Sequence, residues 1–194
     1  MSLLATVAAT TVTLTLLASA AGHARHHGRL TEALVRHAVV PPRLAGEVAA
    51  TVVGVEAALG LAVALELPRP SGPWALAGAA ALFAAYAGYT EYLRRTRADA
   101  PPCGCAGDDV AVTGWVVGRA ATLAAVALLG AGLDAGTGTT TEVAVALCAG
   151  AVFACLLWQL PAAMSTPTAG STPDTQPTVS TPDPTAADIL GGRR

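Results

Sequence analysis

The sequence has no lysine, few aromatic residues and few charges of either sign. Charged side chains make up 12% of its 194 residues, whereas an ordinary soluble domain has roughly 25%. The net charge of −2 provides no basic surface for phosphates, so we expect no nucleic-acid partner. Aromatic residues make up 4% and hydrophobic residues 53%. This shortage of charge beside an apolar excess argues against a soluble enzyme.

Long apolar runs account for that excess. A bilayer core about 30 Å thick is crossed by about 20 helical residues, because a helix rises about 1.5 Å per residue. Five runs are long enough, and they cover residues 2–22, 46–67, 73–92, 114–133 and 142–160. They predict an all-α fold, a polytopic membrane helical bundle in contact with the lipid bilayer. Four helices fall in a membrane domain of residues 1–135, and a fifth transmembrane helix falls in residues 136–160.

The last part of the chain, residues 161–194, differs in composition from everything before it. It is rich in Pro, Thr and Ser, with Asp and Gln between them. Such a segment buries too little apolar surface to offset the entropy lost on ordering. We therefore expect a disordered tail.

The first apolar run has two interpretations. The small residues Ala18, Ser19 and Ala20 are typical of a signal-peptide cleavage site, but the residues before the run carry no basic charge, which a signal peptide needs. We therefore expect the run to be kept as the first transmembrane helix.

Arginines lie mainly on one side of the predicted bundle. If all five helices cross, the first loop, the third loop and the tail share one side. Near the membrane that side carries Arg25, Arg29, Arg36, Arg43, Arg94, Arg95 and Arg97, and the other side carries Arg69 alone. The positive-inside rule then predicts a multi-pass cell-membrane protein with its N-terminus outside and its tail in the cytoplasm.

The third loop contains two cysteines, Cys103 and Cys105, separated by Gly104. A glycine adopts turns forbidden to other residues, so the thiols can approach each other in a strained, easily reduced disulfide of the kind used in exchange. The alternative is a Pro/Gly turn whose thiols are incidental. We expect no metal, because two thiolates need partners and no further Cys or His stands at ligand spacing.

Two ionisable residues lie within the apolar runs. Glu56 falls near the middle of the second run, where a carboxylate is expensive and a functional or pairing role is the default hypothesis. The alternative is a protonated carboxyl group hydrogen-bonded across helices. Arg119, one turn inside the fourth run, is a candidate counter-charge or a side chain that reaches back to the lipid headgroups.

The fifth run contains two more cysteines. Cys148 and Cys155 are seven residues apart and so lie on one face of a helix. We expect them to pack as small apolar side chains, because buried cysteine behaves in this way.

Four segments together resemble the MauE family of methylamine-utilisation membrane proteins, relatives of DoxX-like four-helix membrane domains. They are the segment from Leu34 to Pro42 before the second helix, the glutamate segment from Val55 to Leu61, the loop from Cys103 to Gly107, and Arg119. Two features depart from the family pattern. Ala106 stands where an aromatic residue is usual, and the lysine often found after the first helix is not evident.

The resemblance implies a role in methylamine metabolism. Members of the family assist the production or export of a disulfide-rich enzyme subunit, with a thioredoxin-like protein as partner. For this chain it implies Cys103 and Cys105 as a candidate redox pair, with Glu56, Arg119, Gly104 and Gly107 in supporting roles. It implies no cofactor and does not establish a stand-alone enzyme activity.

The leading hypothesis is therefore thiol–disulfide exchange that supports maturation of an exported redox enzyme. A non-catalytic scaffold or assembly protein is the first alternative, and a small proton-coupled transporter using Glu56 is the second. One conflict is left open. The arginine distribution places the cysteines in the cytoplasm, where disulfides are usually kept reduced.

Overall fold

The computed structural model describes residues 3–67, 73–96, 113–133 and 139–164. Within these ranges the chain forms helices and no strand. In chain order they are α1 (Leu3–Arg25), α2 (His27–His37), a 3-10 helix (Pro42–Leu44), α3 (Ala45–Glu66), α4 (Trp74–Thr96), α5 (Gly114–Ala131) and α6 (Thr140–Met164). The predicted all-α fold is confirmed.

Four of the described helical segments are long and apolar enough to cross a membrane. They are Leu3–Arg25, Pro42–Glu66, Gly114–Ala131 and Thr140–Leu160, and they confirm a polytopic membrane bundle. Cys103, Cys105, Gly104 and Gly107 lie outside the described residues, as do residues 165–194 of the predicted tail.

The remaining predicted span corresponds to α4, a helix of 23 residues. It is less apolar than the other four because alanine, tyrosine and Glu91 replace larger aliphatic side chains. Leu76, near its start, lies against Gly130 near the end of α5. Leu93, near its end, lines the same cavity as Val116 near the start of α5. α4 therefore runs antiparallel to α5 along the length of the bundle.

α1 is the central helix, and three other helices approach it through glycine. A Cβ atom placed on Gly60 of α3 would lie 2.9 Å from Leu17, on Gly130 of α5 2.8 Å from Ala8, and on Gly150 of α6 2.7 Å from Thr10. Helices in lipid gain stability mainly from close packing, and small residues permit it. These three glycines fix how near α3, α5 and α6 come to α1.

The threonines of α1 satisfy their hydroxyl groups within the helix. Thr10, Thr11 and Thr15 each donate to the carbonyl four residues earlier, at 2.8 Å. Thr11 also reaches the carbonyl oxygen of Gly150, at 3.1 Å. These bonds allow a threonine-rich helix to lie in an apolar core without unpaired hydroxyls at those positions.

α2 is a short amphipathic helix in the arginine-rich loop between the first two predicted membrane spans. Leu30, Ala33 and His37 are its buried residues, at the three- and four-residue spacing of one helical face. It ends at Ala38, whose φ of 50° lies in the left-handed region and whose N–H donates to the carbonyl of Val35. α2 therefore covers one end of the bundle.

α6 differs from the prediction in two respects. It continues to Met164, four residues beyond Leu160. Cys148 and Cys155 are both exposed on its surface, so the expectation that they pack in the core is wrong. The reason is that α6 contacts the bundle through Gly150, and the two cysteines do not share that face.

Candidate functional site

A cavity of about 300 Å³ lies at the end of the bundle covered by α2. It is bounded by the last turns of α1 and α4, the first turns of α3 and α5, and Trp158 near the end of α6. Most of its wall is apolar, with Val52, Phe83 and Leu123 among the lining residues. A small number of polar groups converge on an otherwise apolar cavity, which is the usual composition of a ligand site.

Glu56 is the most deeply buried ionisable group among those that line the cavity. Its exposed fraction is 1%, because α3 turns it towards α1 and α4. Its Oε1 accepts hydrogen bonds from Ser19 Oγ and Tyr86 Oη, each at 2.9 Å. Its Oε2 has no hydrogen-bond partner in the described part of the chain. Oε1 of the carboxyl group therefore accepts two hydrogen bonds, and Oε2 accepts none from the described residues.

His23, at the end of α1, is the basic group nearest to Glu56. Its Nε2 lies 3.9 Å from Oε2, which is beyond hydrogen-bond reach. The His23 side chain is itself only 6% exposed. The pair is thus held close but without a hydrogen bond.

Arg119 lines the same cavity from α5. The sequence makes it a candidate counter-charge to Glu56, but within the described ranges the ion pair of Glu56 is with His23. Its guanidinium instead lies over the ring of Trp158, with Cζ 5.7 Å from the ring centroid. A cation in that position is attracted to the face of the indole. Arg119 therefore supplies positive charge to the cavity from a fixed position.

His37 and Tyr89 form the wall beneath α2. Nδ1 of His37 and Oη of Tyr89 are hydrogen-bonded at 2.8 Å, and the ring centroids are 5.8 Å apart. Because His37 is 3% exposed, this bond anchors the end of α2 to α4. The bond therefore connects α2, which covers the cavity, to α4, which forms part of its wall.

The two helix ends between which the predicted dithiol segment lies in the sequence are both at this end of the bundle. α4 ends at Thr96 and α5 begins at Gly114, and Leu93 and Val116, about one turn inside these ends, both line the cavity. Of the predicted site residues, the structure therefore brings Glu56 and Arg119 to one cavity.

Sequence reasoning missed Ser19, His23 and Tyr86 as neighbours of Glu56. Ser19 and His23 are four residues apart and so share one face of α1. Two polar side chains at this spacing in an apolar run are a signal of a polar helix face. That face gave no indication of which helix it meets. Tyr86 was assigned no role because its segment was treated as one apolar run.

Comparison with known proteins identifies a family. A sequence model of the family described as methylamine utilisation protein MauE matches residues 1–133 of the 194, which covers α1 to α5 and ends before α6. No curated protein and no solved structure matches the chain significantly.

Proposed function

Because the chain belongs to the methylamine utilisation protein MauE family, we propose that it supports maturation of a partner redox enzyme by thiol–disulfide exchange through Cys103 and Cys105. The partners would be a thioredoxin-like protein and an exported enzyme subunit, within methylamine metabolism. The observation that carries the proposal is the position of the Cys-Gly-Cys segment between Thr96 and Thr113, two residues at the end of the bundle where buried polar groups gather.

The exchange proceeds by a standard thiol reaction. A thiolate of the pair attacks a disulfide of the partner and forms a mixed disulfide, which the second thiol of the pair resolves. The partner gains two thiols and the pair becomes a disulfide, so two electrons and two protons move together. The reverse sequence introduces a disulfide into the partner. A Cys-x-Cys ring is strained, which favours its reduction and suits it to transferring a disulfide onward.

The first experiment measures the redox behaviour of the pair. The purified full chain carries Cys148→Ala and Cys155→Ala, so that Cys103 and Cys105 are its only thiols. It is equilibrated with reduced thioredoxin, whose potential is about −270 mV, and the free thiols are counted by a mass-shifting maleimide. We expect both thiols to appear and disappear together. We also expect the Cys103 thiolate of a Cys105→Ser variant to attack a thioredoxin that lacks its resolving cysteine and whose remaining cysteine carries thionitrobenzoate, which leaves a stable mixed disulfide and releases the thionitrobenzoate.

The non-catalytic scaffold makes the opposite prediction. Under that alternative the two thiols react independently at every redox poise, no mixed disulfide forms, and a Cys103→Ser, Cys105→Ser variant matures the partner enzyme as well as the wild type. Agreement with all three results would exclude thiol–disulfide exchange.

A further inference from the structure

The cavity has an unused hydrogen-bonding atom within its apolar wall. Glu56 is 1% exposed, its Oε1 already accepts from Ser19 and Tyr86, and its Oε2 has no partner among the described residues. A buried polar atom without a hydrogen bond costs about 1–3 kcal/mol, more when it is charged. Because Glu56 lines the cavity, a molecule in the cavity with an O–H group can satisfy Oε2.

The charges around the cavity restrict what that molecule is. Glu56, which is negative when ionised, and Arg119, which is positive, line it together. An added ammonium group would meet Arg119 and an added anion would meet Glu56, and either would leave a buried charge uncompensated. The site therefore favours an uncharged ligand with both a hydrogen-bond donor for Glu56 and an acceptor for Arg119.

The opening of the cavity indicates where the ligand comes from. Val48 and Val52 on α3 and Tyr89 on α4 line it and are only partly buried, while Ala85 on α4 lines it and is exposed. Ala85 is the exposed residue among those that line the cavity, and it lies one turn before Tyr89 on α4. α3, which contributes Val48 and Val52 to the cavity wall, belongs to a segment apolar enough to cross a membrane, so an opening beside these residues meets lipid. A ligand that enters here is lipid-soluble.

The aromatic lining adds a shape requirement. Phe83, Tyr86, Tyr89 and Trp158 all line the cavity, and aromatic rings stack favourably on a planar ring. A saturated acyl chain would fill the apolar space, but it has no donor for Glu56 and no acceptor for Arg119. A planar ring with oxygens on opposite edges meets both needs.

We propose that this cavity binds the head group of a lipid-soluble quinol, with one hydroxyl group at Glu56 Oε2 and the oxygen on the opposite edge of the ring facing Arg119. The quinol form donates an O–H to the Glu56 carboxylate, and the isoprenoid chain leaves between α3 and α4. The site consists of described residues only and goes beyond the proposed function, so its test does not involve Cys103 or Cys105.

The test uses Trp158 as a reporter inside the cavity. The chain has three tryptophans, so Trp74→Phe and Trp115→Phe leave Trp158 alone in the full-length protein, purified in lipid nanodiscs. Decylubiquinone and its reduced quinol form are titrated separately. We expect saturable quenching of Trp158 fluorescence by the quinol, at lower concentration than by the quinone, which has no O–H for Glu56. We expect none by 1-decanol, which has a similar chain and a hydroxyl but no ring.

Two pairs of variants locate the site. Glu56→Gln keeps an oxygen for Ser19 and Tyr86 but replaces the Oε2 acceptor by an amide donor, so we expect quinol binding to weaken at least about tenfold, the effect of losing one hydrogen bond to a charged group, and quinone binding to change less. Glu91→Gln is the matched control, because Glu91 pairs with Arg94 and Arg95 on the surface at the same end of the bundle.

The second pair blocks the opening. Ala85→Leu places a larger side chain at the mouth of the cavity and should weaken both forms, while Ala84→Leu, at an exposed position outside the lining, should weaken neither. Both positions are exposed, so this pair gives an answer even if Glu56→Gln does not fold. Equal quenching by 1-decanol, unsaturable quenching, or equal effects of Ala84→Leu and Ala85→Leu would each overturn the proposal and leave a cavity filled by lipid or water.

Discussion

At the scale of single residues, Gly150 shows how little space separates α6 from α1. A Cβ atom there would lie 2.7 Å from Cβ of Thr10 and 2.9 Å from the backbone oxygen of Val7. Backbone and a β-carbon do not move aside as the end of a long side chain does. We therefore expect Gly150→Ala to push the two helices apart, although alanine is the better helix former by about 1 kcal/mol.

The expected result is a net loss of about 1 kcal/mol, because overpacking a tight interface costs about 1–3 kcal/mol. It is measured as the change in the SDS-induced unfolding free energy of the purified protein. Gly54→Ala on α3 is the matched control, since a Cβ atom there meets nothing within 4 Å, and we expect it to be neutral or stabilising. Equal effects of the two substitutions would mean that α6 does not pack on α1 at Gly150.

Ser19 and Tyr86 give a second prediction, because both donate to the same oxygen of Glu56. Ser19→Ala and Tyr86→Phe each remove one hydrogen bond of 2.9 Å. We expect each to lower the unfolding free energy by about 1.5 kcal/mol, the lower end of the range for a hydrogen bond to a charged group. The double variant leaves the buried carboxyl group without either donor, so it should lose more than the sum of the two.

A double-mutant cycle measures that excess directly. Thr51→Ala on α3 serves as a control, since its hydroxyl bonds to its own helix at an exposed position and its loss should be small. Strict additivity of Ser19→Ala and Tyr86→Phe would contradict a shared acceptor.

The same residues show what the sequence could predict of the site. Glu56 stood out because a carboxyl group in an apolar run is unusual. Its partners Ser19 and Tyr86 did not stand out, because they are 37 and 30 residues away in the sequence. The spacing of apolar residues along a helix does not specify which other helix it meets. The sequence offers Arg119 as a candidate counter-charge, or as a side chain that reaches the headgroups, and the structure adds His23, whose Nε2 lies 3.9 Å from Oε2. His23 was assigned to a loop because the first run was ended at residue 22.

At the scale of elements, the helices were predictable because each apolar run approaches the length that a bilayer requires. The starts of α3, α4 and α5 fall at residues 45, 74 and 114, within one residue of the predictions. The ends were less accurate: α1 continues to Arg25 and α4 to Thr96. Both ends are polar, and helical backbone bonds continue past the residues that composition assigns to the membrane.

α6 gives the prediction at this scale. The family match ends at residue 133, yet α6 contacts the matched helices at two points. Thr11 of α1 donates to the carbonyl of Gly150, and the guanidinium of Arg119 lies over the ring of Trp158. We expect a chain truncated after Leu133 to insert into membranes but to lose stability, because α1 is left with one face uncovered. The measurement is the temperature at which half of the protein aggregates in detergent.

The control for that experiment is truncation after Met164, which keeps α6 whole and removes only the Pro/Thr/Ser-rich residues. From their composition we expect no change in the aggregation temperature. If truncation after Leu133 also leaves the aggregation temperature unchanged, then α6 contributes nothing to the stability of the bundle formed by α1 to α5.

At the scale of the whole molecule, the structure gathers the arginine-bearing segments at one end. His23 and His37 from the ends of α1 and α2, and Leu93 from the end of α4, line one cavity. Arg25, Arg36 and Arg94 stand close to them in the chain, so among the described residues the arginines gather at this end of the bundle. The positive-inside rule predicts that this end faces the cytoplasm, and the segment with Cys103 and Cys105 joins α4 and α5 there.

Labelling in intact cells tests that orientation, in a chain carrying Cys148→Ala and Cys155→Ala. We expect a membrane-impermeant maleimide to react with Cys103 and Cys105 only after the cells are opened, because the arginine-rich end should lie inside. A single cysteine placed at Ser71, in the connection between α3 and α4, is the matched control and should react from outside. Reaction of Cys103 and Cys105 from outside, increased by prior reduction, would instead place an oxidised pair at the exterior. The arginine rule would then fail for this chain, and thiol–disulfide exchange would take place on the side where disulfides persist.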